Sequence, residues 1–126
     1  MKYLCLVYGT ESALAGMDDR HCVAYDEKIK ASGHCLASEA LQPVQTATTV
    51  RVRNGKVSVT DGPFAETKEI LAGFYMIEAR DLNEAIQVAA KIPPAEVGSI
   101  EVRPIRPIRE TVKAARELRE SPEPAR

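Results

Sequence analysis

Two strand-like runs, residues 3–8 and 71–79, are apolar on both faces, and this limits the available folds more than any other feature of the chain. In the first, Leu4, Leu6 and Tyr8 point one way while Tyr3, Cys5 and Val7 point the other. In the second, Leu71, Gly73, Tyr75 and Ile77 stand opposite Ala72, Phe74, Met76 and Glu78. Side chains alternate across a strand, so strands of this kind need cover above and below. One layer of helices supplies only one of the two.

The segments between and around these runs alternate in period. Residues 18–32 predict a helix opened by Asp18 and Asp19 and stopped by Gly33, with Cys22, Tyr25 and Ile29 as its buried stripe. His21 stands about 100° around from Cys22, at the edge of that stripe. Residues 34–48 predict a short strand near Cys35-Leu36-Ala37 and then a loop. Strict alternation in residues 49–53 and 56–60 on either side of Asn54-Gly55 predicts a two-residue hairpin. Its register pairs Arg53 with Lys56, Val52 with Val57 and Val50 with Val59, placing the valines on one face and Arg51, Arg53 and Lys56 on the other. Asp81, with Glu84 three residues on, opens a second helix whose predicted stripe is Leu82, Ala85, Ile86, Ala89 and Ile92, ended by Pro93-Pro94. Residues 98–103 form the last strand, with Ile100 and Val102 on one face and Glu101 and Arg103 on the other. The pattern is βαββαβ, one α+β domain over residues 1–106. An extra helix with Val112, Ala115 and Leu118 on one side follows in residues 107–126, and disorder is expected over residues 121–126.

Right-handed crossovers put both helices of such a chain on one side of the sheet. Leaving Tyr3, Cys5, Val7 and one face of residues 71–79 in water would expose several hundred Å² of apolar surface, more than a monomer usually tolerates. The expectation is a homodimer whose sheets face each other around a barrel-like space. Glu101, Arg103, Arg51 and Glu78 are the charged residues expected in or around that cavity.

Composition narrows the function classes. A chain of 126 residues with 44% apolar and 28% charged residues suits a soluble globular domain, and a net charge of -1 offers no electrostatic reason to bind nucleic acid or an acidic membrane. No run approaches the ~18 apolar residues of a membrane span, and a cytoplasmic location is expected. Cys5, Cys22 and Cys35 lack the spacing of a zinc or redox site and read as reduced, small core residues. With no glycine-rich phosphate loop or nucleotide fingerprint, neither metal nor cofactor is expected.

The densest cluster of turn-forming and ionisable residues is Asp61-Gly62-Pro63-Phe64-Ala65-Glu66-Thr67-Lys68-Glu69. Asp61, as an acceptor for backbone two residues on, with Gly62 and Pro63, predicts a sharp exit from the hairpin, and Phe64 is expected to anchor the turn in the core. Asp61, Glu66, Lys68 and Glu69 are the candidate catalytic residues. The plainer reading makes Asp61 a turn cap and the other three a surface ion-pair cluster. Arg51 and Arg103 are candidate carboxylate clamps, or else salt-bridge partners of Glu101 or Glu78. Phe64 and His21 complete the candidate ligand-binding set, although the plainer reading of His21, as an edge residue, is that it is solvated. His34, just after the helix stop, reads as a partner for the helix end.

The run from Thr60 to Glu69, followed by Gly73-Phe74-Tyr75, resembles the signature of the DGPF proteins, a branch of the YCII-related family. Ala47-Thr48-Thr49-Val50-Arg51, Ile92-Pro93, Gly98 and Glu101-Val102-Arg103-Pro104-Ile105 are similar to the same pattern, which spans residues 2 to about 105. The resemblance implies a ferredoxin-like fold that dimerises into an α+β barrel, in agreement with the face counting. Some YCII-related relatives, a dehydrochlorinase of a chlorinated hydroxyquinol among them, use a His-Asp pair for proton transfer. At the matching positions this chain has Cys22, with His21 beside it, and Ile92 before Pro93. The resemblance also implies a setting beside extracytoplasmic-function sigma factors. Three functions therefore fit the sequence: a cofactor-independent proton-transfer enzyme, a ligand-binding regulator, and a partner protein in a sigma-factor-linked system that uses the arginine-rich exit and the last helix.

Overall fold

In the computed structural model, which describes residues 1–120, β1 (Lys2–Gly9) runs through the middle of a four-stranded antiparallel sheet. It pairs with β5 (Ile70–Glu78) on one side and β6 (Ser99–Pro104) on the other, and β2 (Cys35–Ala40) lies outside β5. The strand order β2-β5-β1-β6, with a helix in each crossover, is the ferredoxin-like α+β arrangement. The predicted hairpin, β3 (Thr48–Arg53) and β4 (Lys56–Asp61), has the expected register from Arg53↔Lys56 to Thr49↔Thr60. Asn54 at φ 52 and Gly55 at φ 75 make the tight turn. The hairpin forms a separate two-stranded sheet inserted between β2 and β5. Arg51 therefore shares no sheet with Glu101, Arg103 or Glu78, which corrects the placement expected for it.

The helices lie where the caps predict. α2 (Asp19–Ala31) begins at Asp18, whose carboxylate accepts the Arg20 N–H at 2.9 Å, and the chain leaves the helix through Gly33 at φ 82. α3 (Leu82–Ala89) begins at Asp81, which accepts the Glu84 N–H at 2.9 Å, while Glu84 reaches back to the Arg80 N–H at 3.2 Å. α3 ends at Ala90, before the prolines, and Pro93-Pro94 instead open a 3₁₀ turn. Sequence reading missed α1 (Glu11–Ala15), a single short helix capped by the Thr10 hydroxyl on the Ala13 N–H at 3.2 Å. α4 (Ile108–Glu120) is the expected extra helix, and residues 121–126, for which disorder is expected, lie outside the described residues.

One core forms where α2 and α3 cover the sheet. Tyr3, Cys5, Val7 and Ile77 pack there with Ile29, Ala85, Ala89 and Ile92. This corrects two expectations. The face carrying Tyr3, Cys5 and Val7 is the covered one, so the open face is that of Leu4, Leu6, Phe74 and Met76, which pair as Leu4↔Met76 and Leu6↔Phe74 and are only half-buried. On α3, Leu82 and Ile86 are about half exposed, because the stripe that meets the sheet runs through Ala85, Val88 and Ala89. β5 also carries an irregularity: Val7 pairs with Gly73 but Tyr8 with Leu71, so Ala72 is an extra residue and Leu71 comes to stand beside Tyr8.

α2 is fastened to the sheet at two points. Tyr25 donates its hydroxyl to the Val88 carbonyl at 3.2 Å and meets Tyr75 edge-on, with ring centres 5.7 Å apart. Asp26 accepts the Ser38 hydroxyl of β2 and the Lys30 ammonium at 2.8 Å. Among the described residues no helix is long and apolar enough to cross a membrane.

Candidate functional site

The loop of residues 62–69 carries the chain from the hairpin back to the sheet. Its start is pinned by the Gly62 N–H on the Ala47 carbonyl at 2.7 Å and by the Thr49 hydroxyl on the Gly62 carbonyl at 2.8 Å. Gly62 has φ 107, a region closed to most side chains, which is what turns the chain out of β4. Asp61 does not cap this turn as expected, since the residue two positions on is Pro63, which has no N–H to donate. Phe64 is 82% exposed and does not enter the core.

At its far end the loop meets the sheet again. The Thr67 hydroxyl donates to the Glu69 carbonyl at 2.6 Å, and the Glu69 carboxylate accepts the Ser99 hydroxyl of β6 at 3.0 Å. Tyr8 and Ser99 are paired neighbours on β1 and β6. An open cleft of about 720 Å³ lies here, walled by Tyr8, Lys68, Glu69, Ser99 and Glu101, with Thr67 and Ile100 completing it. Glu101 pairs across from Leu6, so the cleft is continuous with the open apolar face of the sheet. Arg103, one pleat further along, stands 3.9 Å from Glu101.

Of the predicted catalytic residues, the structure brings Lys68 and Glu69 into this wall and leaves Asp61 and Glu66 exposed outside it. Of the predicted ligand-binding residues, Arg103 reaches the cleft only through Glu101, while Arg51, Phe64 and His21 are exposed elsewhere. Sequence reading missed Tyr8 and Ser99. Both lie at strand ends beside turn glycines, Gly9 and Gly98, and that position was the available signal. The cleft's donor set is one ammonium, a phenol and the hydroxyls of Thr67 and Ser99, and its acceptors are two carboxylates. Such a set can hold an oxyanion or acidic hydroxyl at Lys68 and take a proton at a carboxylate. Among the described residues no group of three or more His, Cys, Asp or Glu side chains is placed to hold a metal ion.

Several other ionisable groups serve the scaffold. Lys30, then Ser38, holds the Asp26 carboxyl below its ordinary range. Burial, then the neighbouring Asp26, pushes the Tyr75 hydroxyl up to about 12, and burial, then Tyr75, does the same to Tyr25. Burial raises the Cys5 thiol to about 11. Cys22, where the family resemblance implies a histidine, is half-buried, and burial raises its thiol too. Ile92 is fully buried in the core, so that end of the pair is an apolar packing residue here. His34 Nδ1 lies 3.1 Å from the Glu78 carbonyl and 3.9 Å from the Glu84 carboxylate, joining the end of β5 to the start of α3.

Comparison with known proteins places the chain in context. The YCII-related domain matches residues 1–109. An uncharacterized protein of Rhizobium meliloti (strain 1021) is 37% identical over 114 residues, covering 83% of this chain and 92% of its own. Among solved structures, the 5-chloro-2-hydroxyhydroquinone dehydrochlorinase of Burkholderia phenoliruptrix AC1100, in complex with 2,5-dihydroxybenzoquinone, is similar in fold, with a TM-score of 0.52 at 15% identity. That similarity covers 84% of this chain and 94% of the other.

Proposed function

The chain belongs to the YCII-related domain family, and from that premise we propose that it binds a small hydroxylated or carboxylated molecule in the Tyr8–Lys68–Glu69–Glu101 cleft and moves a proton on it without a cofactor. The Asp61-Gly62-Pro63-Phe64 run, which resembles the DGPF signature, supports a place in that branch. A second copy, facing the open side of the sheet, closes the cleft: Leu4, Leu6, Phe74 and Met76 supply an apolar floor that needs such cover. The observation that carries this reading is the 3.0 Å hydrogen bond from Ser99 to Glu69. It holds a carboxylate of the returning loop against the sheet, beside an ammonium and a phenol. Lys68 receives the anionic end of the ligand, and Glu69 accepts the proton. The similarly folded dehydrochlorinase, held with a dihydroxybenzoquinone, supports a ligand of that size and acidity.

Native mass spectrometry combined with titration of 2,5-dihydroxybenzoquinone tests this. A dimer that takes up the quinone, with affinity falling tenfold or more in Lys68→Ala, supports the reading. A protein that neither retains a small molecule on purification nor takes up the quinone removes it.

A further inference from the structure

Two apolar faces in this chain have no counterpart within it among the described residues. The hairpin carries Val50, Val52, Val57 and Val59 on one face, between 56% and 67% exposed. α4 carries Ile108, Val112, Ala115 and Leu118 along one side, and none of its residues is buried. Each face alone approaches the few hundred Å² that a monomer ordinarily leaves bare, and the chain has both.

The two elements spring from opposite corners of the sheet. β2 ends at Ala40, level with Gly73, and β5 begins at Ile70, level with Gly9, so the hairpin leaves from the C-terminal end of β1 on the β2 side. β6 ends at Pro104, level with Tyr3, so α4 leaves from the N-terminal end of β1 at the opposite edge. Between these corners lie three strand spacings, roughly 14 Å across, and about seven residues of strand, roughly 23 Å along.

Two sheets stacked on their open faces can be related by a twofold axis lying between them. If that axis runs perpendicular to the line joining these corners, it exchanges the hairpin corner of one copy with the α4 corner of its partner, and with these dimensions the two sets of strands cross at roughly 60°. We propose that each hairpin lays its valine face on the apolar side of α4 of a second copy, extending the sheet-to-sheet contact on which this inference rests. The contact is made twice by symmetry, and the two together hide on the order of 1,000 Å², the size of a specific interface. Its consequence is functional as well as structural. The hairpin is continuous with the loop that delivers Lys68 and Glu69, so anchoring the hairpin on the partner anchors the cleft wall.

The test mixes two full-length variants, Val57→Cys and Val112→Cys, treats them with a short bis-maleimide and reads the products by denaturing mass spectrometry. Wild type, run in parallel, reports the background from the native cysteines. The expected product is a cross-linked pair containing one chain of each variant. A doubly substituted Val57→Cys/Val112→Cys chain that links only within itself, at monomer mass, assigns α4 to its own hairpin and overturns the proposal. A protein that is dimeric by native mass but forms no hairpin-to-helix link also overturns it, while leaving the sheet-to-sheet dimer standing; a protein that is monomeric removes both. As an independent readout, Val52→Asp together with Val57→Asp, at exposed positions, is expected to raise the dimer dissociation constant tenfold or more. An unchanged constant overturns the pairing.

Discussion

The Ser99 hydroxyl donates a 3.0 Å hydrogen bond to the Glu69 carboxylate, tying the loop that leaves the hairpin to the last strand of the sheet. Glu69 and Ser99 are 30 residues apart, so this contact exists only because β6 lies next to β1. An exposed bond of this type contributes no more than ~1 kcal/mol to stability. Ser99→Ala is therefore expected to leave the thermal midpoint within a few degrees of wild type and to weaken quinone binding several-fold by loosening Glu69. Glu69→Gln retains an acceptor for Ser99 and should keep binding while leaving an acidic hydroxyl of the bound ligand without its proton acceptor. Binding isotherms measure the first effect, and the absorption spectrum of the bound quinone, which reports its ionisation, measures the second.

Gly98 marks how tightly the cleft wall is built. A Cβ added there would stand 2.0 Å from the Tyr8 carbonyl oxygen, a backbone atom that cannot swing aside. Gly98→Ala is expected to cost more than ~2 kcal/mol and to separate Tyr8 from Ser99. Urea unfolding measures the first effect. Loss of quinone binding beyond that of Ser99→Ala measures the second.

Ile77 is fully buried between the sheet and the helices. Ile77→Ala removes three carbon groups from the core cluster it shares with Tyr3, Cys5, Ile29 and Ala85, at an expected cost of about 2–5 kcal/mol. Urea unfolding at one fixed protein concentration is the measurement, because association changes apparent stability by mass action.

The Asp26 carboxyl is held below its ordinary range by Lys30 and then Ser38. A carboxylate with a lowered folded-state pKa stabilises the fold above its unfolded value of about 3.9, and that contribution is lost as pH falls through the lower folded value. Asp26→Asn is expected to flatten the acid side of the stability profile below about pH 4, because the charge paired with Lys30 is lost while the amide oxygen still accepts the Ser38 hydroxyl. Unfolding curves across the acid range decide it.

The same carboxylate acts on Tyr75, whose hydroxyl is raised to about 12 chiefly by burial and next by Asp26. A raised tyrosine favours the folded state below its unfolded pKa of about 10, with the contribution lost as pH rises through the folded value. Alkaline absorbance titration should find Tyr25 and Tyr75 ionising near pH 12, well after a free phenol. In Asp26→Asn the Tyr75 step moves to lower pH. An unmoved step would mean that burial alone accounts for it.

What local sequence determined here is what short-range chemistry determines. The alternation around Asn54-Gly55 was enough for the register of the whole hairpin, because a two-residue turn with positive φ leaves no other pairing. Asp81 was legible as a cap and Asp18 as an acid at a helix start, since a side-chain carboxylate reaches its own helix's free N–H groups whatever else the chain does. The alternation of β1 showed that both its faces are apolar. Which face the helices take was decided by tertiary packing, because period two is symmetric between the faces and only the crossover from β1 through α2 breaks that symmetry. The cleft was half legible: the cluster of Lys68 and Glu69 stood out, but Tyr8 and Ser99 are ordinary strand-end residues until β1 and β6 lie side by side. Phe64 shows the limit most plainly. A phenylalanine after Gly62-Pro63 reads as a core anchor, yet the direction in which the chain leaves β4 turns it into solvent, and only the three-dimensional path of the loop carries that information.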